Sequence, residues 1–167
     1  GANQEPSSRI LSDNGYSVLG IDLRPDDYEN RWPLNYARLE GDFIQLSSYL
    51  TGGFQAIFST SAVEHFGLGT YGVHDPIRDP NYDSKAMDCM WHLLKNDGNC
   101  YITVPYGKRF FTQGDHWRVY DKDALQERII RKFQVVEKIF FQSAQASCPV
   151  DKNGFVKEED ADEFEPG

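Results

Sequence analysis

Residues 54–67, FQAIFSTSAVEHFG, constrain this chain more than any other stretch. An apolar run of strand type over 54–59 passes into the small residues Ser59, Thr60, Ser61 and Ala62, and Glu64 and His65 open the next segment. Two more runs of this kind, 16–23 and 99–104, are stopped by Pro25 and Pro105. Helical patterns separate them. The first covers 5–14, and a weaker one covers 44–50 and closes at Gly52 and Gly53. A third, 83–94, places Ala86, Met87, Met90, Trp91, Leu93 and Leu94 at helical spacing, with Gly98 set to end it. A fourth, 122–132, is capped by Asp121 and carries Leu125, Ile129 and Ile130 on one stripe. A last strand is expected over 135–141. Strands alternating with helices predict an α/β fold with a mainly parallel sheet and helices on both faces. The polar stretch 26–40, with Trp32 and Pro33, reads as a loop with a short turn. Residues 67–82 form a loop longer than a connector needs, and such loops are often functional.

The chain has 167 residues, 40% of them hydrophobic and 14% aromatic, enough for one ordered domain with a sizeable core. Its net charge of −9 is uneven, because residues 151–167 hold seven acids and two bases. We expect a domain over 1–150 and a solvated or disordered acidic tail over 151–167. An acidic body argues against duplex nucleic acid, which needs clustered Lys and Arg. No run approaches a membrane span and no leader opens the chain. Cys89, Cys100 and Cys148 are odd in number and lack CxxC spacing. Neither zinc nor a disulfide framework is suggested, and a reducing cytoplasm fits best.

Asp22 closes the 16–23 strand. In doubly wound sheets ligands bind at the carboxyl ends of strands, where an acid accepts bonds from ribose hydroxyls. On its own this says nucleoside, and a surface acid ending a strand is the competing reading. His65 has an unperturbed pKa near neutrality and suits a general base, whereas Glu64 and His65 could also simply start a helix and bond locally. The stretch 106–121 crowds Tyr106, Lys108, Arg109, Phe110, Phe111, His116, Trp117, Arg118 and Tyr120 together. Aromatics beside Arg and Lys suit a sugar or another anionic small molecule, although some of these rings must cover the sheet. His65, His74, Asp75, Asp79, Asp115 and His116 offer no ligand spacing such as HExxH, and no metal is expected.

In their order, the strand ending in Asp22, the FQAIFSTSAVEHFG segment and the LLKNDGNCYITVP segment (93–105) resemble the class I S-adenosylmethionine-dependent methyltransferases. The resemblance covers roughly residues 7–141, closest to a methyltransferase-like branch with a VEHFGLGTYG turn. It implies a Rossmann-like fold and S-adenosylmethionine as cofactor. Asp22 would hold the ribose, Asp42 the adenine amino group and Phe43 the ring face, with Asp42 as a helix cap the alternative or additional role. Ser59 and Ser61 would line the methyl-transfer face, and Gly1 would be the tail of the glycine loop. His65 or His116 would be the catalytic base, and Tyr106, Arg109, Trp117 and Arg118 would bind the acceptor. Gln55 stands where many members carry an acid.

The resemblance lacks the family's first strand and most of its glycine loop, so the fold is expected as N-terminally truncated. The strands 16–23 and 54–59 should then close up, pair across a partner chain or leave a groove. The leading expectation is methyl transfer to a small-molecule acceptor such as a sugar or other anionic metabolite. An NAD-dependent oxidoreductase and a catalytically dead interaction domain are the alternatives. Expected partners are a small molecule and, as an option, a second copy in a homodimer, with no nucleic acid and no membrane.

Overall fold

The computed structural model describes residues 6–25, 35–72, 76–142 and 150–165. Helix α1 (Pro6–Asp13) begins with proline at its first position, where the missing N–H costs nothing. Strand β1 (Val18–Asp22) pairs in parallel with β2 (Tyr36–Glu40), from Val18 opposite Tyr36 to Asp22 opposite Glu40. Asp42 caps the short helix α2 (Phe43–Ser47) by accepting from the Gln45 N–H at 2.8 Å. Strand β3 (Phe54–Thr60) pairs in parallel with β4 (Leu94–Thr103), with an irregular register between Phe54 and Ala56. A 3₁₀ turn, Val63–His65, comes after β3. Helix α3 (Tyr82–Leu93) buries Tyr82, Asp83, Ala86, Met87, Met90 and Leu93, one stripe at helical spacing.

The hairpin β5 (Phe111–Gln113) and β6 (Trp117–Val119) is antiparallel. Asp121 caps α4 (Lys122–Ala124), and the chain continues as a π-helical turn, Leu125–Ile129, in which the Ile130 N–H reaches back to the Leu125 carbonyl at 3.0 Å. Strands β7 (Phe140–Phe141) and β8 (Phe155–Val156) form a second antiparallel pair, with α5 (Glu158–Asp162) after it. Val63, Met87, Met90, Tyr120 and Ile129 form the centre of the core.

The α/β class is as expected, but among the described residues the strands form four separate two-stranded sheets rather than one continuous sheet. The strands over 16–23 and 54–59 do not pair with each other among the described residues, and one cavity is lined by both β1 and β3. Several expectations need correction. Residues 36–40, placed in a loop, are strand β2, because pairing with β1 takes up their backbone groups. The strand expected over 135–141 is reduced to Phe140–Phe141, where β8 supplies a partner. The helix expected over 122–132 ends at Ile129, and β4 starts at Leu94, so Gly98 lies inside a strand. The acidic end carries β8 and the short helix α5, which stops at Asp162. Tyr106 donates to Asp162, the Lys108 N–H donates to the Phe164 carbonyl at 2.8 Å, and β8 pairs with β7. These local partners offset the repulsion that composition alone foresees. Residues 26–34, His74, Asp75 and Cys148 lie outside the described residues. No helix among the described residues is long and apolar enough to cross a membrane.

Candidate functional site

A cavity of about 480 Å³ runs along β1 and β3. Every residue of β1 and every residue of β3 lines it, together with Asp42, Phe43, His65 and Tyr71. Asp22 is 5% exposed, and its carboxylate accepts from the Arg24 N–H at 3.0 Å and the Arg24 Nε at 3.2 Å. Arg24 in turn lies 5.0 Å over the Tyr71 ring, which ties the end of β1 to the loop beyond β3. Asp42 does double duty: besides capping α2, its Oδ1 accepts from the Tyr82 hydroxyl at 2.8 Å. Phe43 packs 6.3 Å from Phe66. The Ser59 hydroxyl is buried at the cavity wall with no hydrogen-bond partner among the described residues.

The turn after β3 is held in an unusual backbone. Ser61 has φ +42°, a left-handed conformation that costs a side-chain-bearing residue energy, and its N–H is held by the Thr103 hydroxyl at 2.9 Å. Ser61 is exposed and does not line the cavity. We expect Ser61→Gly to stabilise the fold by about 0.5–1 kcal/mol, read from denaturation midpoints, since glycine adopts this φ freely. A destabilised variant would show that Ser61 contributes more through its side chain than it costs through its backbone.

Two glycines in the VEHFGLGTYG stretch explain themselves. A Cβ on Gly67 (φ +74°) would lie 2.4 Å from the Asp79 carbonyl and 2.4 Å from the Tyr82 Cβ, and one on Gly69 (φ +68°) would fall on the Arg78 guanidinium.

Within the turn, Glu64 is 2% exposed, and its Oε2 has no partner among the described residues. Burial pushes its pKa up to about 7. The neighbouring His65 Nδ1 meets the carbonyl oxygen of His116. That acceptor requires the proton on Nδ1 and leaves the Nε2 lone pair available, 3.9 Å from Glu64 Oε1. Burial lowers the His65 pKa, which favours the neutral ring. The Thr70 hydroxyl bonds the carbonyls of Asp115 and His116, each at 2.9 Å, so the β5–β6 hairpin is fastened onto the loop that carries His65.

Of the expected site residues, Asp22, Asp42, Phe43, Ser59 and His65 come together at the cavity. Gly1 lies outside the described residues. His116 adjoins His65 through its main chain, while its ring is exposed against Trp117, and neither side chain lines the cavity. Tyr106 is bonded to Asp162 and packs 5.0 Å from Phe140, and Arg109 is exposed over the Phe111 ring; both lie off the cavity wall.

Arg118 is placed differently from expectation. It is 1% exposed and donates to the carbonyls of Phe66 at 2.7 Å, Glu64 at 3.2 Å, and Asp79 and Pro80 at 3.4 Å. Its Nε lies 3.6 Å from Asp83. A guanidinium so engaged holds the 64–66 turn in place rather than meeting an acceptor. Asp83, which no sequence motif singles out, is the anchor of this group. It is fully buried and accepts from the Tyr120 hydroxyl at 2.8 Å and from Arg128 at 2.6 and 2.9 Å. One signal does point to it: Asp83 sits on the apolar stripe with Ala86, Met87 and Met90, where an unpaired acid would be costly.

Among the described residues no three His, Cys, Asp or Glu side chains gather as a metal site. Comparison with models of known protein families, with curated proteins and with solved structures finds no match.

Proposed function

We propose that the cavity is the cofactor site of an S-adenosylmethionine-dependent methyltransferase on a Rossmann-like framework, acting on a small-molecule acceptor. The observation that carries this reading is the convergence of Asp22, Asp42, Phe43, Ser59 and His65 on one cavity along β1 and β3. The residues suit a nucleoside. The volume of about 480 Å³ falls in the range of small-molecule sites. The unpaired Ser59 hydroxyl gains a partner when a polar ligand arrives. Asp22 accepts ribose hydroxyls in exchange for contacts it now makes with Arg24. Phe43 supplies an apolar ring surface for adenine, and Asp42 an acceptor for its amino group.

Bound there, S-adenosylmethionine supplies a methyl group on a cationic sulfur. His65 takes the proton that the acceptor hydroxyl loses, at Nε2, because Nδ1 is committed to the His116 carbonyl. His116 is thus a positioning residue, acting through its backbone. The neutral state of His65 that burial favours is the form a base requires.

Titration calorimetry with S-adenosylmethionine, S-adenosylhomocysteine and NAD tests the reading. Binding of the first two is expected, and Asp22→Ala should weaken it by about 1.5–3 kcal/mol, roughly ten- to a hundredfold. Binding of NAD in their place, or unchanged affinity in Asp22→Ala, would sink it.

A further inference from the structure

An acid buried without a full set of partners is costly, and Glu64 is such a group. It is 2% exposed, its Oε2 has no partner among the described residues, and it does not line the cavity. The turn that carries it is closed by main-chain bonds, from the His65 N–H to the Ala62 carbonyl at 3.0 Å and from the Phe66 N–H to the Val63 carbonyl at 3.1 Å. The charges packed against this turn are matched elsewhere. Arg118 of β6 donates to the Glu64 carbonyl, not to its carboxylate, and is faced by Asp83 of α3, which also holds Arg128. His116, just before β6, meets the turn through its carbonyl oxygen. The Glu64 carboxylate has one ion-pair partner among the described residues, His65, whose Nε2 lies 3.9 Å from Oε1. The ring is fixed for this approach. Its Nδ1–H is held by the His116 carbonyl, which also accepts from the Thr70 hydroxyl at 2.9 Å, and the Tyr71 ring packs 5.9 Å away.

We propose that Glu64 is the proton store of His65, a positioning residue that acts through the ring rather than on the acceptor. This role rests on His65 being the base, and not on the identity of the cofactor. When the acceptor O–H bond breaks, its proton forms the Nε2–H bond of an imidazolium. The ionised Glu64 faces that cation, and the proton then passes from Nε2 to Oε1, leaving a neutral ring and a neutral carboxyl group. Ring and carboxylate must close by about 1 Å for this, to hydrogen-bond length. The pair therefore binds one proton readily and a second only with difficulty. Burial acts in the same direction, since it raises the Glu64 pKa to about 7 and lowers that of His65, so that the shared proton rests on the acid.

A pH titration of the full chain tests this without any nucleoside, by proton–nitrogen correlation NMR on isotope-labelled histidine rings. Glu64→Gln keeps the shape and removes the carboxylate, and His65→Gln identifies the His65 signals. Neutral His65 should carry its proton on Nδ1. In the parent its ring nitrogens should shift in two steps, the first near pH 7 together with Glu64. In Glu64→Gln that first step should vanish, and His65 should titrate once, with a proton affinity lower by about tenfold or more. The exposed His92 and His116 should titrate alike in both proteins. A His65 that titrates identically in parent and variant, or whose neutral ring carries its proton on Nε2, would overturn the proposal. Calorimetry with S-adenosylhomocysteine separates this outcome from the cofactor reading. Glu64→Gln should bind within about twofold of the parent, because Glu64 stands off the cavity wall. A loss of about tenfold or more would place Glu64 in cofactor binding and overturn its role as a proton store. A parent that binds none ends the cofactor reading, while the shared proton stands or falls on the titration.

Discussion

Replacing Asp83 with alanine is expected to remove about 3–5 kcal/mol of folding stability, a large share of what a domain of this size possesses. Asp83 is completely buried and faces Arg118 and Arg128, while Arg118 is itself 1% exposed. Taking away the carboxylate leaves Arg118 in the interior without its counter-charge, and the Tyr120 hydroxyl without its acceptor. The loss is not confined to the core. Arg118 holds the carbonyls of Glu64 and Phe66, so its displacement frees the turn that presents His65. Urea denaturation monitored by circular dichroism measures the effect. Asp83→Asn should lie between alanine and the parent, since it keeps an acceptor for Tyr120 but loses the charge. A loss below about 1 kcal/mol in the alanine variant would show that the buried cluster contributes no net stability.

Glu64 should make the protein less stable as pH rises. Its folded pKa, pushed up to about 7 from 4.5, means that the folded state binds this proton more tightly than the unfolded chain. The penalty is absent below pH 4.5, grows between 4.5 and 7, and is complete above 7, where it amounts to about 3 kcal/mol. His65 acts in the opposite sense. Its lowered folded pKa penalises the folded state below its ordinary 6.5, and that penalty fades as pH rises. Comparing the parent with Glu64→Gln isolates the carboxylate, because His65 is present in both. The stability of the glutamine variant relative to the parent should climb by about 3 kcal/mol from pH 4 to pH 8. A difference that stays level across that window would mean that Glu64 is ionised and solvated in the folded state.

How much of the fold and the site is legible in the sequence differs from element to element. Helix α3, the caps Asp42 and Asp121, and strands β1 and β3 are all visible there, because helical spacing, strand-length apolar runs and capping side chains are local properties of the chain. Asp22, Asp42, Phe43, Ser59 and His65, singled out through a resemblance in the order of segments, line one cavity, whereas Ser61, Tyr106, Arg109, His116, Trp117 and Arg118, singled out in the same way, do not. Strand β2 is not visible in the sequence: Tyr36–Glu40 has no strong apolar run and becomes a strand only because β1 supplies its hydrogen bonds. The acidic end is a similar case, fixed by Tyr106, Lys108 and the β7–β8 pairing rather than by its composition.

Arg118 shows where local information stops. Its neighbours in sequence, among them His116 and Trp117, are exposed and suggest a binding surface. In the structure, Arg118 is buried beside the buried Val119, and a distant carboxylate, Asp83, and four main-chain carbonyls meet its guanidinium. The spacing of apolar residues determined which segments are helices and strands, since that depends on neighbours a few positions away. Whether a charge faces solvent or the core, and whether two parallel pairs close into one sheet, depends on partners more than thirty positions distant, and only the tertiary structure brings those together.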